Sequence, residues 1–152
     1  MRSHAEWAVA ALLTAALIVP VACGTAAAEE ASAVPTKLVG RWSRNVTAAD
    51  VRRVPGSLAT PGVYSMTIKR SGVLGIYFPA GAPEFVKPPK GAPNRTGTVS
   101  ATPDGRMVIV LDCPADKGLY RWKVSGRLLT ITLVKEPCTE QAPVFWGVWK
   151  RK

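Results

Sequence analysis

Histidine is nearly absent from this chain. The one copy is His4, and there are only 10 acidic residues against 20 Lys and Arg. His4 falls inside a segment that reads as a removable leader, so the mature protein is expected to contain no histidine. That excludes a Ser-His-Asp or Cys-His nucleophile, a His general base, and zinc sites of the His-containing kinds. Other routes to catalysis are also thin. No Ser-x-x-Lys occurs, and no Gly-rich phosphate loop follows a strand and opens a helix. The carboxylates Asp50, Glu84, Asp104, Asp112, Asp116, Glu136 and Glu140 fall mostly in expected loops or beside turns. Asp104 belongs to a Pro-Asp-Gly turn. Asp112 and Asp116 offer too few oxygens for calcium. No two carboxylates are set up for acid/base hydrolysis. No catalytic residue, metal or cofactor is expected, and the chain reads as a binding protein and not as an enzyme.

Long hydrophobic runs are lacking too. Residues 7–19 form an apolar run of 13, preceded by Arg2 and followed by the small-residue stretch 22–28. A spanning helix needs about 20 residues, so this run reads as the core of a secretory signal peptide over 1–28. Two processing routes are open. Ala26-Ala27-Ala28 offers a small-x-small site that releases a soluble protein. Val21-Ala22-Cys23-Gly24 resembles the lipobox of bacterial lipoproteins, in which Cys23 is lipidated and becomes the first mature residue, although Pro20 departs from that pattern. Both routes imply an extracytoplasmic protein, secreted or lipid-anchored to the outer face of the membrane.

Cysteine is scarce, with three copies. With Cys23 cleaved off or lipidated, Cys113 and Cys138 remain as one even pair, which in an exported chain is expected to form a disulfide. Closing a loop of that length stabilises by roughly 3 kcal/mol in the chain-entropy account. The pair lies 25 residues apart with no Cys-x-x-Cys, so a redox-active dithiol is not indicated.

What is present is strand patterning. Residues 29–36 read as a flexible tether, and 37–152 as one β domain. Strands are expected over 38–42, 63–70, 73–78, 96–102, 106–111, 119–125, 127–135 and 144–150. In the second, Tyr64, Met66 and Ile68 alternate with Val63, Ser65 and Thr67. In the sixth, Tyr120, Trp122 and Val124 alternate with Arg121, Lys123 and Ser125. One short helix is expected after the first strand, over 47–54, with Thr47 as its N-cap and Asp50 completing a near capping box. Gly-containing turns at Ser71-Gly72, Asp104-Gly105 and Ser125-Gly126 join successive strands as hairpins. The expected fold is all-β, an eight-stranded antiparallel up-and-down barrel, with a β-sandwich as the alternative.

Gly40-Arg41-Trp42, on the first strand just after the tether, matches the Gly-x-Trp signature of lipocalins and their calycin relatives. Together with Gly118-Leu119-Tyr120-Arg121-Trp122-Lys123-Val124, Pro137-Cys138 and Gly147-Val148-Trp149-Lys150-Arg151, it resembles secreted bacterial lipocalin-like proteins over residues 37–152. The Thr-Asp-Tyr motif of the central lipocalins is absent. The resemblance implies that Trp42 plugs the closed end of a barrel and that Arg151 (or Lys150) packs over its ring as a cation–π partner. It also implies a small hydrophobic ligand in the interior.

The candidate lining is Tyr64, Met66, Ile68, Tyr120, Trp122, Leu129 and Ile131, because these faces are apolar on neighbouring strands; the same residues equally suit a solid core. The Pro-rich segment 79–93 reads either as a lid over the open end or as a solvated excursion. The basic residues are dispersed and match no nucleic-acid motif, so the net charge of +10 points to an anionic cell-envelope surface or to a solubilising coat. The expected function is that of an exported monomeric barrel that binds or carries a small hydrophobic molecule. The alternative is a protein-interaction module, such as an envelope adaptor or secreted protease inhibitor, with a filled barrel.

Overall fold

The structure, a computed structural model, describes residues 34–83, 88–111, 117–139 and 141–152. The leader, Cys23, Cys113, Asp112 and Asp116 therefore lie outside the described residues, as do 84–87 within the Pro-rich segment. The strands are β1 Gly40–Val46, β2 Gly62–Ile68, β3 Val73–Tyr77, β4 Arg95–Ala101, β5 Arg106–Val110, β6 Gly118–Ser125, β7 Leu128–Lys135 and β8 Gly147–Arg151. Each pairs antiparallel with the next, and β8 returns to β1, giving a closed up-and-down barrel in the order of the chain. Closure removes the free edges that the two sheets of a sandwich would keep.

The period-two patterning has its expected cause. On β2 the residues Tyr64, Met66 and Ile68 face inward and are buried, and on β7 Leu129 and Ile131 do the same. Inward side chains from all eight strands form one core that includes Trp42, Trp149, Met66, Leu74, Ile109 and Leu129. The two buried indoles solve the same polar problem in the same way. Trp42 donates its N–H to the carbonyl of Leu38 at 2.9 Å, and Trp149 donates to that of Phe145 at 2.9 Å, each four residues back.

Helix α1, Ala48–Arg52, starts from Thr47, whose hydroxyl accepts from the Asp50 N–H while the Asp50 carboxylate accepts from the Thr47 N–H, a complete capping box. Three expectations need correction. The first strand begins at Gly40 and not at 38, because residues 36–38 make a turn held by the Leu38 N–H on the Pro35 carbonyl. The tether does not extend to 36, because Val34 is 2% exposed and packed in the core. The last strand begins at Gly147 and not at 144, because Ala142–Phe145 form a second short helix, α2, with Pro143 in its first turn.

In an up-and-down barrel, every connection that leaves an odd strand lies at one end. That end carries α1 and its following loop, the β3–β4 connection, the β5–β6 connection and α2. The other end carries three tight turns and the segment that enters β1.

Candidate functional site

The end that carries the tight turns is shut. Leu38 and Val34 cover it from the entering segment, and the Trp42 ring lies beneath, fully buried. The Arg151 guanidinium carbon stands 4.3 Å from the centre of that ring. Its nitrogens donate to the carbonyls of Val39 at 3.1 Å and Lys37 at 2.6 Å. Gly40 is required here for two reasons. Its φ of +141° is disfavoured for side chains, and a Cβ would sit 3.0 Å from an Arg151 nitrogen.

The opposite end holds a cavity of about 120 Å³. Its floor is Ile76 and Phe145, and its walls include Ala59, Tyr64, Phe78, Leu111 and Val144, with Thr60, Gln141 and Arg95 as polar members. Leu58 lies at the rim, 69% exposed. The wall is held by short, local bonds. The Tyr64 hydroxyl donates to the Thr60 carbonyl at 3.0 Å, fixing the loop after α1 against β2. The Asn94 side chain accepts from the Phe78 N–H at 2.7 Å, and the Asn94 N–H donates to the Ile76 carbonyl at 2.8 Å. The Tyr64 and Phe78 rings meet at 5.8 Å with their planes tilted by 60°. Burial pushes the Tyr64 phenol above its ordinary value, against the opposing effect of its bond at Thr60.

Arg44 supports the cavity from below. Period two from Trp42 points it inward, and it is only 8% exposed. Its guanidinium donates to the carbonyls of Pro143 at 2.8 Å and Val144 at 3.0 Å, and it meets the Asp50 carboxylate at 3.3 Å. One buried cation thus ties β1, α1 and α2 together, with three acceptors to offset its desolvation.

Of the seven residues expected to line a binding site, only Tyr64 is on the wall of this cavity. Met66, Ile68, Leu129 and Ile131 are packed in the core with essentially no exposure. Tyr120 is also buried, and its hydroxyl donates to the Glu136 carboxylate, which accepts the Cys138 N–H as well. Trp122 is half-buried and donates its indole N–H to the Arg106 carbonyl at 3.1 Å. Alternation tells which face of a strand looks inward but not how far along the barrel a residue lies. The cavity exists only near the open end, where the loop after α1, Phe78 and α2 meet. Residues Ala82 and Pro83 of the Pro-rich segment reach its wall.

Ile76, Phe78, Leu111 and Val144 were readable as apolar but not as neighbours. Arg44 was readable, because counting by twos from Trp42 makes it an inward charge. Cys138 is buried beside Glu136, while Cys113 lies outside the described residues. Among the described residues no three His, Cys, Asp or Glu side chains come together. Asp50 meets Arg44, Asp104 meets Arg106, and Glu136 meets Tyr120. The arrangement offers a small apolar container with few polar groups at its mouth. Comparison of the chain with protein-family models, with curated proteins and with solved structures returned no match.

Proposed function

We propose that this chain is an exported, monomeric, lipocalin-like barrel that binds a small hydrophobic molecule in the cavity at its open end. The observation that carries this reading is the cavity itself, about 120 Å³ and lined mainly by apolar side chains. An apolar protein cavity of roughly 150 Å³ admits benzene, so this one suits a single ring or a short alkyl chain, not a long lipid. The Trp42–Arg151 closure at 4.3 Å supports the likeness to lipocalins, and the leader-like segment 1–28 supports export. A Cys113–Cys138 disulfide belongs to the same proposal and predicts that the two thiols resist alkylation until a reductant is added.

Residues 37–152 carry 19 Lys and Arg against 7 acidic residues. That imbalance favours residence near an anionic envelope surface. The test of binding is an NMR titration of the full chain with benzene. Expected are saturable shifts at the methyl groups of Ile76, Leu111 and Val144, with none at Leu129. Ala59→Leu, which fills the cavity, abolishes them. Shifts that do not saturate, or that persist in Ala59→Leu, would overturn the reading.

A further inference from the structure

Arg95 is the one charged side chain among the described residues that line the cavity. Its direction follows from register. Trp42 pairs with Met66, Met66 with Ile76, and Ile76 with Arg95, one inward-facing row across β1 to β4 that strand tilt carries from the shut end to the open one. Along β4 the residues Arg95, Gly97, Val99 and Ala101 look inward, while Thr96, Thr98 and Ser100 are exposed. Arg95 is thus held at the mouth by the backbone and half-buried there.

Other arginines that leave bulk water in this barrel have acceptors. Arg44 has two carbonyls and Asp50, and Arg151 has two carbonyls and a ring. Among the described residues the Arg95 side chain has no hydrogen bond and no ion pair. A guanidinium keeps its charge at any physiological pH and presents a planar fork of donors that matches a carboxylate in two-pronged fashion. Set beside an apolar cavity with an exposed Leu58 at the rim, it completes a site with one apolar and one cationic half.

We propose that the ligand is a small organic anion, a single apolar ring or short chain bearing a carboxylate, with the apolar part in the cavity and the carboxylate on Arg95. This rests on the binding function proposed above and names the ligand class for the same cavity. The excess of positive charge on the barrel raises the local concentration of such anions.

The experiment compares benzoate, benzyl alcohol and benzylamine by NMR titration of the full chain at neutral pH and low salt. Benzylamine is included because Glu84, Asp112 and Glu140 adjoin the wall residues Pro83, Leu111 and Gln141 in sequence. Benzoate is expected to bind about tenfold more tightly than benzyl alcohol, the size of one charge-assisted hydrogen bond. Benzylamine is expected to bind most weakly. In Arg95→Gln the benzoate-to-alcohol ratio falls to about one, and in Arg95→Lys part of it returns. Equal binding of benzoate and alcohol, a preference for benzylamine, or a benzoate preference that survives Arg95→Gln would each overturn the anion assignment while leaving the cavity reading intact. Failure of all three probes would overturn the binding function as well.

Discussion

Trp42 and Arg151 are direct cross-strand partners on β1 and β8, and the cation of one lies over the ring of the other at 4.3 Å. A single side chain therefore joins the seam of the barrel, its plug and the segment that enters β1. Arg151→Met keeps most of the apolar stem but removes the charge and both donors to the Lys37 and Val39 carbonyls. The expected loss is about 2 kcal/mol of unfolding free energy, read from a urea titration with unchanged slope. A loss of only a few tenths would mean that the pair adds nothing beyond packing.

Gly147 and Arg44 are coupled at the other end. Gly147 has φ +116°, and a Cβ there would stand 2.7 Å from the Arg44 guanidinium carbon. Gly147→Ala is expected to destabilise by about 3 kcal/mol, through backbone strain and displacement of the cation. Arg44→Met is expected to cost about as much, because the Pro143 and Val144 carbonyls lose their donor and Asp50 loses its partner. In the double variant the costs should fall well short of additive, since the alanine methyl no longer has a guanidinium to displace. Additive costs in a double-mutant cycle would separate the two residues.

The barrel was legible because strand patterning is local. Tyr64, Met66 and Ile68 show their inward face by alternation alone, and the hairpin turns mark where each strand reverses. The capping box of α1 was legible for the same reason, since Thr47 and Asp50 are three residues apart. Helix α2 was not. Ala142, Pro143, Val144 and Phe145 are all apolar, so they present no alternation to distinguish a buried turn of helix from the start of a strand. The cavity was least legible, because its wall is assembled from Ala59, Phe78, Arg95, Leu111 and Val144, which only the closure of the barrel brings together. Long-range packing of that kind leaves no period in the sequence.

Acid should weaken the β1–α1 corner before the rest. Burial acts to raise the Asp50 carboxyl, but the Thr47 N–H and hydroxyl, with the charges of Arg44 and Arg53, outweigh it and hold the group below its ordinary value. A carboxyl depressed in the folded state contributes stability that is present above its unfolded value of about 3.9 and is lost as pH falls through the lower folded value. Urea midpoints measured from about pH 5 downward should fall less steeply in Asp50→Asn than in the parent chain, and the variant should be less stable at neutral pH by about 2 kcal/mol. Parallel acid limbs would remove Asp50 from the account.

Alkali tests the opposite sign. Burial pushes the Tyr120 phenol well above its ordinary value, and the adjacent Glu136 carboxylate pushes the same way. A group raised in the folded state contributes stability that is complete below its unfolded value, about 10 for tyrosine, and is lost as pH rises past it. In an ultraviolet titration of the folded protein, Tyr120 should stay protonated until the chain unfolds. Its ionisation should then coincide with loss of near-ultraviolet circular dichroism. Ionisation of every tyrosine near the ordinary value with the fold intact would contradict this.

The seam has a consequence for the order in which the molecule is made. β1 and β8 meet through residue 42 opposite residue 151 and residue 43 opposite residue 150. During synthesis from the N-terminus, Trp42 emerges while its cation is still more than a hundred residues from being translated. The hairpins can zip as they appear, because each joins neighbours in the chain. The cylinder itself must wait for its final stave, and until then one indole and two strand edges stand unguarded. A barrel that cannot latch before its last turn of sequence is delivered stays an open, curling sheet for the whole of its synthesis, and its closure is a single late event.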